Sequence, residues 1–159
     1  ENFISRKVII GIIKILRGQQ KCLYLGNLKS KRDWGHAKEF VNAQWKILQH
    51  KSPDDFVIAT GKNYSVKDLI NLVLKKLKIK FSWKKDKKGY EYAKALNDIG
   101  QIKKSQIIIR QEKIYFRPNE VHNLVGDYSK AKKLLKWKPK IIFEQLISEM
   151  IDSDLKKII

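Results

Sequence analysis

The 159-residue chain has room for one ordinary domain whose core buries most of its apolar surface. A hydrophobic share of 43% with 32% charged residues excludes a disordered chain, and a single cysteine, Cys22, excludes a disulfide framework or a thiolate metal cage. The 35 Lys and Arg against 16 acidic residues give a formal charge of +19, but only five are Arg, so the excess is lysine on solvated faces more than the forked donors of a phosphate-reading surface.

His36, His50 and His122 are spaced too widely for a local zinc motif, and no apolar run nears the ~20 residues that span a bilayer. The sequence starts at Glu1 without the order of a signal peptide. It is therefore expected to be a fragment or processed piece of a cytoplasmic protein.

In chain order, Asn2–Arg17 carries apolar residues at helical spacing, with Gly18 placed to stop the helix. Cys22–Leu25 is a short strand ending in the Gly26-Asn27 turn, and Lys29–Arg32 is basic loop. His36–His50 returns to a helical pattern until Ser52-Pro53-Asp54-Asp55 breaks it, and Phe56–Ala59 then has the pattern of a buried strand. Ser65 followed by Asp68 forms a capping arrangement that opens an amphipathic helix, Val66–Leu77. Ile79–Trp83 is a strand, while Lys84–Lys104 is expected to be a loop with a short helix near Tyr92–Leu96. Gln106–Arg110 is another strand, and helices at Ser129–Leu135 and Phe143–Ile158 flank Trp137-Lys138-Pro139.

Helices alternate with short strands, so the class is α/β, yet long apolar strands are too few for a complete doubly wound sheet. Several helices have apolar faces wider than the visible strands can cover. That pattern is expected of the second part of a larger fold.

The eight glycines form no Gly-x-Gly-x-x-Gly or Gly-x-x-Gly-x-x-Gly turn for a dinucleotide pyrophosphate. Nor is there a Gly-x-Ser-x-Gly elbow, a Walker loop or a His-Glu-x-x-His. No catalytic constellation and no metal site are expected within this sequence.

Three segments carry other chemistry. In Leu25–Ala37, Arg32 precedes Asp33 and Trp34 at the mouth of a helix, and an Arg braced by a carboxylate and an indole could receive a diphosphate bidentately. The competing reading has Asp33 capping the helix, Trp34 in the core and Arg32 in a surface ion pair; His36 is expected to be a hydrogen-bonded helix-start residue, not a base. In Tyr115–Val121, Pro118 biases Arg117 toward extended geometry off a strand end, and Glu120 could accept from ribose hydroxyls; a local Arg117–Glu120 ion pair is the alternative. Gly126–Pro139 is architecture, a turn and short helix with Trp137 packed and Pro139 ending it.

These segments, in this order, resemble the C-terminal half of the GDP-mannose 4,6-dehydratase family, which are extended short-chain dehydrogenase/reductases. The matching words are Asn2-Phe3 through Arg6-Lys7, Leu25-Gly26-Asn27, Lys31-Arg32-Asp33-Trp34-Gly35-His36-Ala37-Lys38, and Asp55 through Gly61 with Ser65-Val66. Phe116-Arg117-Pro118, Glu120-Val121, Gly126-Asp127, Ser129-Lys130-Ala131, Trp137-Lys138-Pro139 and Glu149-Met150 continue the match nearly end to end.

The resemblance implies removal of water from GDP-mannose to give GDP-4-keto-6-deoxy-mannose, with a tightly held NADP taking a hydride from C4 and returning it at C6. The family's Tyr-x-x-x-Lys pair, its Ser/Thr and Glu catalytic partners and its glycine-rich cofactor loop would precede Glu1, so residues 1–159 would be the substrate-binding portion, inactive by itself. By the same likeness Lys7, Arg32 and Arg117 neutralise the diphosphate, Asn27 lies by the nucleotide and Glu120 meets the ribose. Phe56–Ala59 and the Ser65–Leu77 helix would complete the Rossmann sheet, with residues 37–78 packing on the absent cofactor domain. GDP-mannose, that missing portion and a homo-oligomeric full enzyme are the implied partners, with neither membrane nor nucleic acid. The rivals are a basic nucleic-acid-binding module and a sister enzyme acting on another nucleotide sugar.

Overall fold

The computed structural model describes residues 3–117, 119, 121 and 123–157. Pro118, Glu120, the Asn2 start of the first helix and the Ile158 end of the last lie outside the described residues.

Helix α1 (Ile4–Leu16) is apolar almost all round and buries Val8, Ile9, Ile10, Ile12, Ile13 and Ile15, as a helix at the centre of a core must. It stops where expected: Gly18 takes φ +77°, and the N–H groups of Gly18 and Gln19 close back on the Ile15 and Lys14 carbonyls. Strand β1 (Leu23–Leu25) follows, then the two-residue β2 (Lys31–Arg32), helix α2 (Ala37–Leu48) and the two-residue β3 (Tyr64–Ser65). Helix α3 (Val66–Lys76) opens with the anticipated capping box, in which Ser65 and Asp68 satisfy each other's backbone N–H groups. Strands β4 (Phe81–Lys85), β5 (Glu91–Ala95) and β6 (Ile107–Gln111) precede a 3-10 turn at Lys113–Tyr115, helix α4 (Ser129–Leu134) and helix α5 (Phe143–Lys157).

The main sheet runs β1-β6-β5-β4, with β1 parallel to β6 and the other pairs antiparallel; β2 and β3 form a separate two-stranded ribbon. One core joins α1, α3 and α5 to the sheet through Ile9, Ile13, Leu69, Val73, Ile109 and Ile147. A satellite core gathers Ala43, Ala131, Leu135 and Trp137, with Phe40 and Tyr128 edge-on to the Trp137 ring.

Four expectations need correction. Tyr92–Leu96 is no helix: Glu91–Ala95 is a strand laddered on both sides, its alternate residues Ala93 and Ala95 buried. Lys29–Arg32 is not all loop, because Lys31 and Arg32 pair with Ser65 and Tyr64. Phe56–Ala59 is not assigned to a strand among the described residues; the Thr60 and Gly61 N–H groups that follow it donate to the Asp33 carboxylate at 2.9 and 3.0 Å. The uncovered apolar face belongs to α2 and not to α3, whose stripe is filled by α1 and α5. On α2, Val41, Trp45 and Leu48 recur one turn apart and are 61%, 59% and 80% exposed.

Candidate functional site

A cleft of about 940 Å³ opens between the start of α1, the β1–β2 connection and the segment after β6. Each wall has a local cause. The 26–30 turn is pinned by the Asn27 Oδ1, which accepts from Lys29 N at 2.9 Å, and by the first N–H groups of α3, which donate to the carbonyls of Leu28 and Ser30. Gly26 lies so close to the 3-10 turn that a Cβ there would sit 2.0 Å from the Tyr115 carbonyl oxygen. Gln111 Nε2 donates to the Gly26 carbonyl at 2.9 Å and Glu112 N to that of Leu25, so β6 and the turn after it are tied to β1.

Four of the five residues singled out in the sequence, Lys7, Asn27, Arg32 and Arg117, line this one cleft. Glu120 lies outside the described residues. Lys7 projects from α1 with its ammonium 4.8 Å from the centre of the Tyr115 ring, a cation–π contact that limits its rotamers. Arg32 is half-buried and donates from Nη1 to the carbonyls of Lys31 (2.8 Å) and Val121 (2.6 Å). Arg117 is exposed; it follows the 3-10 turn and does not leave directly from the end of β6. Among the described lining residues there are three cations and no carboxylate. Phe3 and Ile4 also line the cleft, and no side chain caps α1, so the positive end of that helix adds to the field.

The Asp33 carboxylate is engaged elsewhere than on Arg32. Asp33 spends its oxygens on Thr60 N, Thr60 Oγ1 and Gly61 N, which joins the cleft wall to the 56–61 segment. Nor does Asp33 cap α2: the His36 ring does, its Nδ1 accepting from Lys38 N at 3.1 Å. Trp34 stacks on Phe143 at 5.4 Å between ring centres. With Nδ1 an acceptor, His36 carries its proton on Nε2 and donates to Glu149 Oε2 at 3.0 Å, so its hydrogen bonding is complete, as expected of a helix-start residue. The hydrogen bond from His36 and the nearby Lys38 charge hold the Glu149 carboxyl below the ordinary carboxylate range.

One lining residue escaped the sequence reading. Ser30 is almost fully buried and its hydroxyl has no hydrogen-bond partner among the described residues. A serine in a lysine-rich loop carries no signal of its own.

A second hollow, about 610 Å³, lies beside Cys22, Lys21, Tyr24 and Arg110. Burial pushes the Cys22 thiol up to about 11, outweighing the opposing Arg110 charge. The thiolate is the reactive form, so the native chain at about pH 8 should react with a disulfide reagent about tenfold more slowly than its denatured form, the scarcer thiolate being partly offset by its greater nucleophilicity. The rate of thiol labelling with and without denaturant checks this.

No group of three or more His, Cys, Asp or Glu among the described residues could hold a metal ion, and none of the described helices is long and apolar enough to cross a membrane. Nor does a dinucleotide cofactor fit the β3–α3 junction. Its pyrophosphate needs open backbone N–H groups at a glycine-rich strand-to-helix turn, whereas at the β3–α3 junction those groups are spent on Leu28, Ser30, Ser65 and Asp68.

Comparison with known proteins gives the cleft its context. The sequence profile of the GDP-mannose 4,6 dehydratase family matches residues 1–150. A GDP-mannose 4,6-dehydratase of Vibrio cholerae serotype O1 is 45% identical over 161 residues, covering 99% of this chain and 43% of that protein. The GDP-mannose 4,6-dehydratase of Yersinia enterocolitica is 42% identical with the same coverage of both. Among solved structures, RMD from Pseudomonas aeruginosa complexed with NADPH superposes with a TM-score of 0.70 at 18% identity, covering 99% of this chain and 43% of that one, and shares the fold. The chain thus spans less than half the length of the curated relatives it matches. It belongs to the GDP-mannose 4,6-dehydratase family.

Proposed function

We propose that this chain is the nucleotide-sugar-binding, C-terminal portion of a GDP-mannose 4,6-dehydratase, the NADP-dependent lyase that converts GDP-mannose to GDP-4-keto-6-deoxy-mannose. The observation that carries the reading is the convergence of Lys7, Arg32 and Arg117 on one cleft. A diphosphate linkage carries two negative charges, and charge-assisted hydrogen bonds to it are each worth about 1.5–3 kcal/mol when shielded from water. In this reading Lys7 and Arg32 bind the diphosphate, Arg117 closes over it as the third cation, Asn27 holds the loop beside the nucleotide, and Glu120 meets the ribose.

NADP would be held by the portion of the relatives that these 159 residues do not cover, and no step of the chemistry is assigned to residues 1–159. That portion would pack on α2, with Phe56–Ala59 entering its sheet; the uncovered Val41, Trp45 and Leu48 support this arrangement. The full enzyme would be a homo-oligomer. We also infer a cytoplasmic location, where the free Cys22 stays reduced.

Thermal-shift measurements with GDP-mannose, GDP, UDP-glucose and duplex DNA test the reading. The chain should be stabilised selectively by GDP-mannose and GDP, and should form no product from GDP-mannose and NADP. Salt-steep, sequence-blind DNA binding without a GDP-mannose shift would overturn the substrate assignment. Measurable product formation would overturn the division of labour.

A further inference from the structure

A second set of cations stands at the edge of the cleft. The β4–β5 hairpin turns at Asp86, whose Oδ1 accepts from Lys88 N and Tyr90 N at 2.9 and 3.0 Å, while Gly89 takes φ +83°. These bonds shape the tip, which has four lysines and one aspartate over residues 84–88 and stands across from the 26–30 turn. Between them lies a hollow of about 270 Å³ lined by Asn27, Lys29, Lys85, Lys88, Tyr90 and Phe116 among others. Asn27 and Phe116 line the cleft as well, so the two spaces share a wall. The acidic residue lining the hollow, Glu91, is already neutralised by Lys67 Nζ, 3.0 Å from both of its oxygens. Among the described residues, the ammonium groups of Lys29, Lys85 and Lys88 have no carboxylate partner.

We propose that Lys29, Lys85 and Lys88 form an electrostatic capture rim that speeds the arrival of an anionic nucleotide sugar at the cleft without holding it once bound. The proposal rests on the nucleotide-sugar reading of that cleft. All three lysines are exposed. Exposed ammonium groups add little to the energy of a formed contact, because water and salt screen them and their long side chains resist fixing. Their field nevertheless extends over a Debye length, about 8 Å at physiological salt, and like charges at the mouth of a cleft raise the local concentration of a dianion. The cations inside the cleft would set residence time and those on the rim the rate of encounter.

The test is stopped-flow mixing of the chain with GDP carrying a fluorophore on its ribose. Removing all three rim charges (Lys29→Ala, Lys85→Ala, Lys88→Ala) should slow association about five- to tenfold at about 20 mM salt and by less than about twofold at about 0.5 M. Dissociation should stay within about twofold of the parent at both salt concentrations. A control removing Lys75, Lys76 and Lys80 changes the net charge equally away from the hollow, and should leave association nearly unaltered. The proposal is overturned by an equal slowing in the control, by a change confined to dissociation, or by a salt-independent effect. If the parent chain fails to bind GDP at all, the nucleotide-sugar reading falls and takes the rim with it. If it binds GDP but ignores the rim substitutions, the rim alone falls.

Discussion

Replacing Arg32 with Ala is expected to weaken binding of GDP-mannose by about tenfold to a hundredfold, the largest loss of any single side chain in the cleft. Two effects add at this position. The guanidinium is half-buried and on the ribbon formed with β3, so it can meet a diphosphate with a forked pair of donors. Its Nη1 also holds the Val121 carbonyl at 2.6 Å across 89 residues of sequence, a tie that truncation would remove. Arg32→Lys keeps the charge but has one compact ammonium for both tasks, so its affinity should fall between parent and Ala variant. Lys7→Ala should cost less than Arg32→Ala, because Lys7 braces nothing beyond the Tyr115 ring. Isothermal titration of the three variants with GDP-mannose reads this order; parent-like affinity in Arg32→Ala would remove the diphosphate role.

The residues that carry strong local signals were legible. Apolar spacing marked α1 and α3, Gly18 marked a helix end, and Ser65 with Asp68 marked a helix start, because each is decided within a few residues. The grouping of the candidate residues was legible for a different reason. Lys7, Asn27, Arg32 and Arg117 stand in motifs resembling those of a known family, and the fold brings those distant motifs to one cleft.

What was not legible depended on neighbours. Glu91–Ala95 is built of residues that favour helices, and its inward positions are alanines too small to give a clear alternation; pairing with β4 and β6 overrides the local preference. Phe56–Ala59 has the composition of a buried strand, but a ladder needs a partner, and among the described residues none is assigned to it. The expected contact of Arg32 with Asp33 gives way because Asp33, adjacent in sequence, faces Thr60 and Gly61, while Arg32 Nη1 reaches the Lys31 carbonyl and, far along the chain, that of Val121.

The second large effect belongs to Gly26, which has no functional group. Any Cβ at this position would lie 2.0 Å from the carbonyl oxygen and 2.6 Å from the carbonyl carbon of Tyr115, and both are backbone atoms that no rotamer change can move aside. Gly26→Ala must therefore displace the Lys113–Tyr115 turn or β1. The turn is the weaker partner, since it is short and exposed while Leu23 and Leu25 are locked in the core. Overpacking of this kind costs about 1–3 kcal/mol, or roughly 2–12 °C in Tm for a chain of this size. Moving the turn carries Tyr115 away from Lys7 and Arg117 away from the cleft, so affinity for GDP-mannose should collapse even at temperatures where the variant remains folded. Circular dichroism melting combined with titration separates the two consequences. A variant that melts early yet binds normally would mean that the Gly26–Tyr115 approach serves packing alone. A variant that melts normally would mean that β1 and the turn can part without cost.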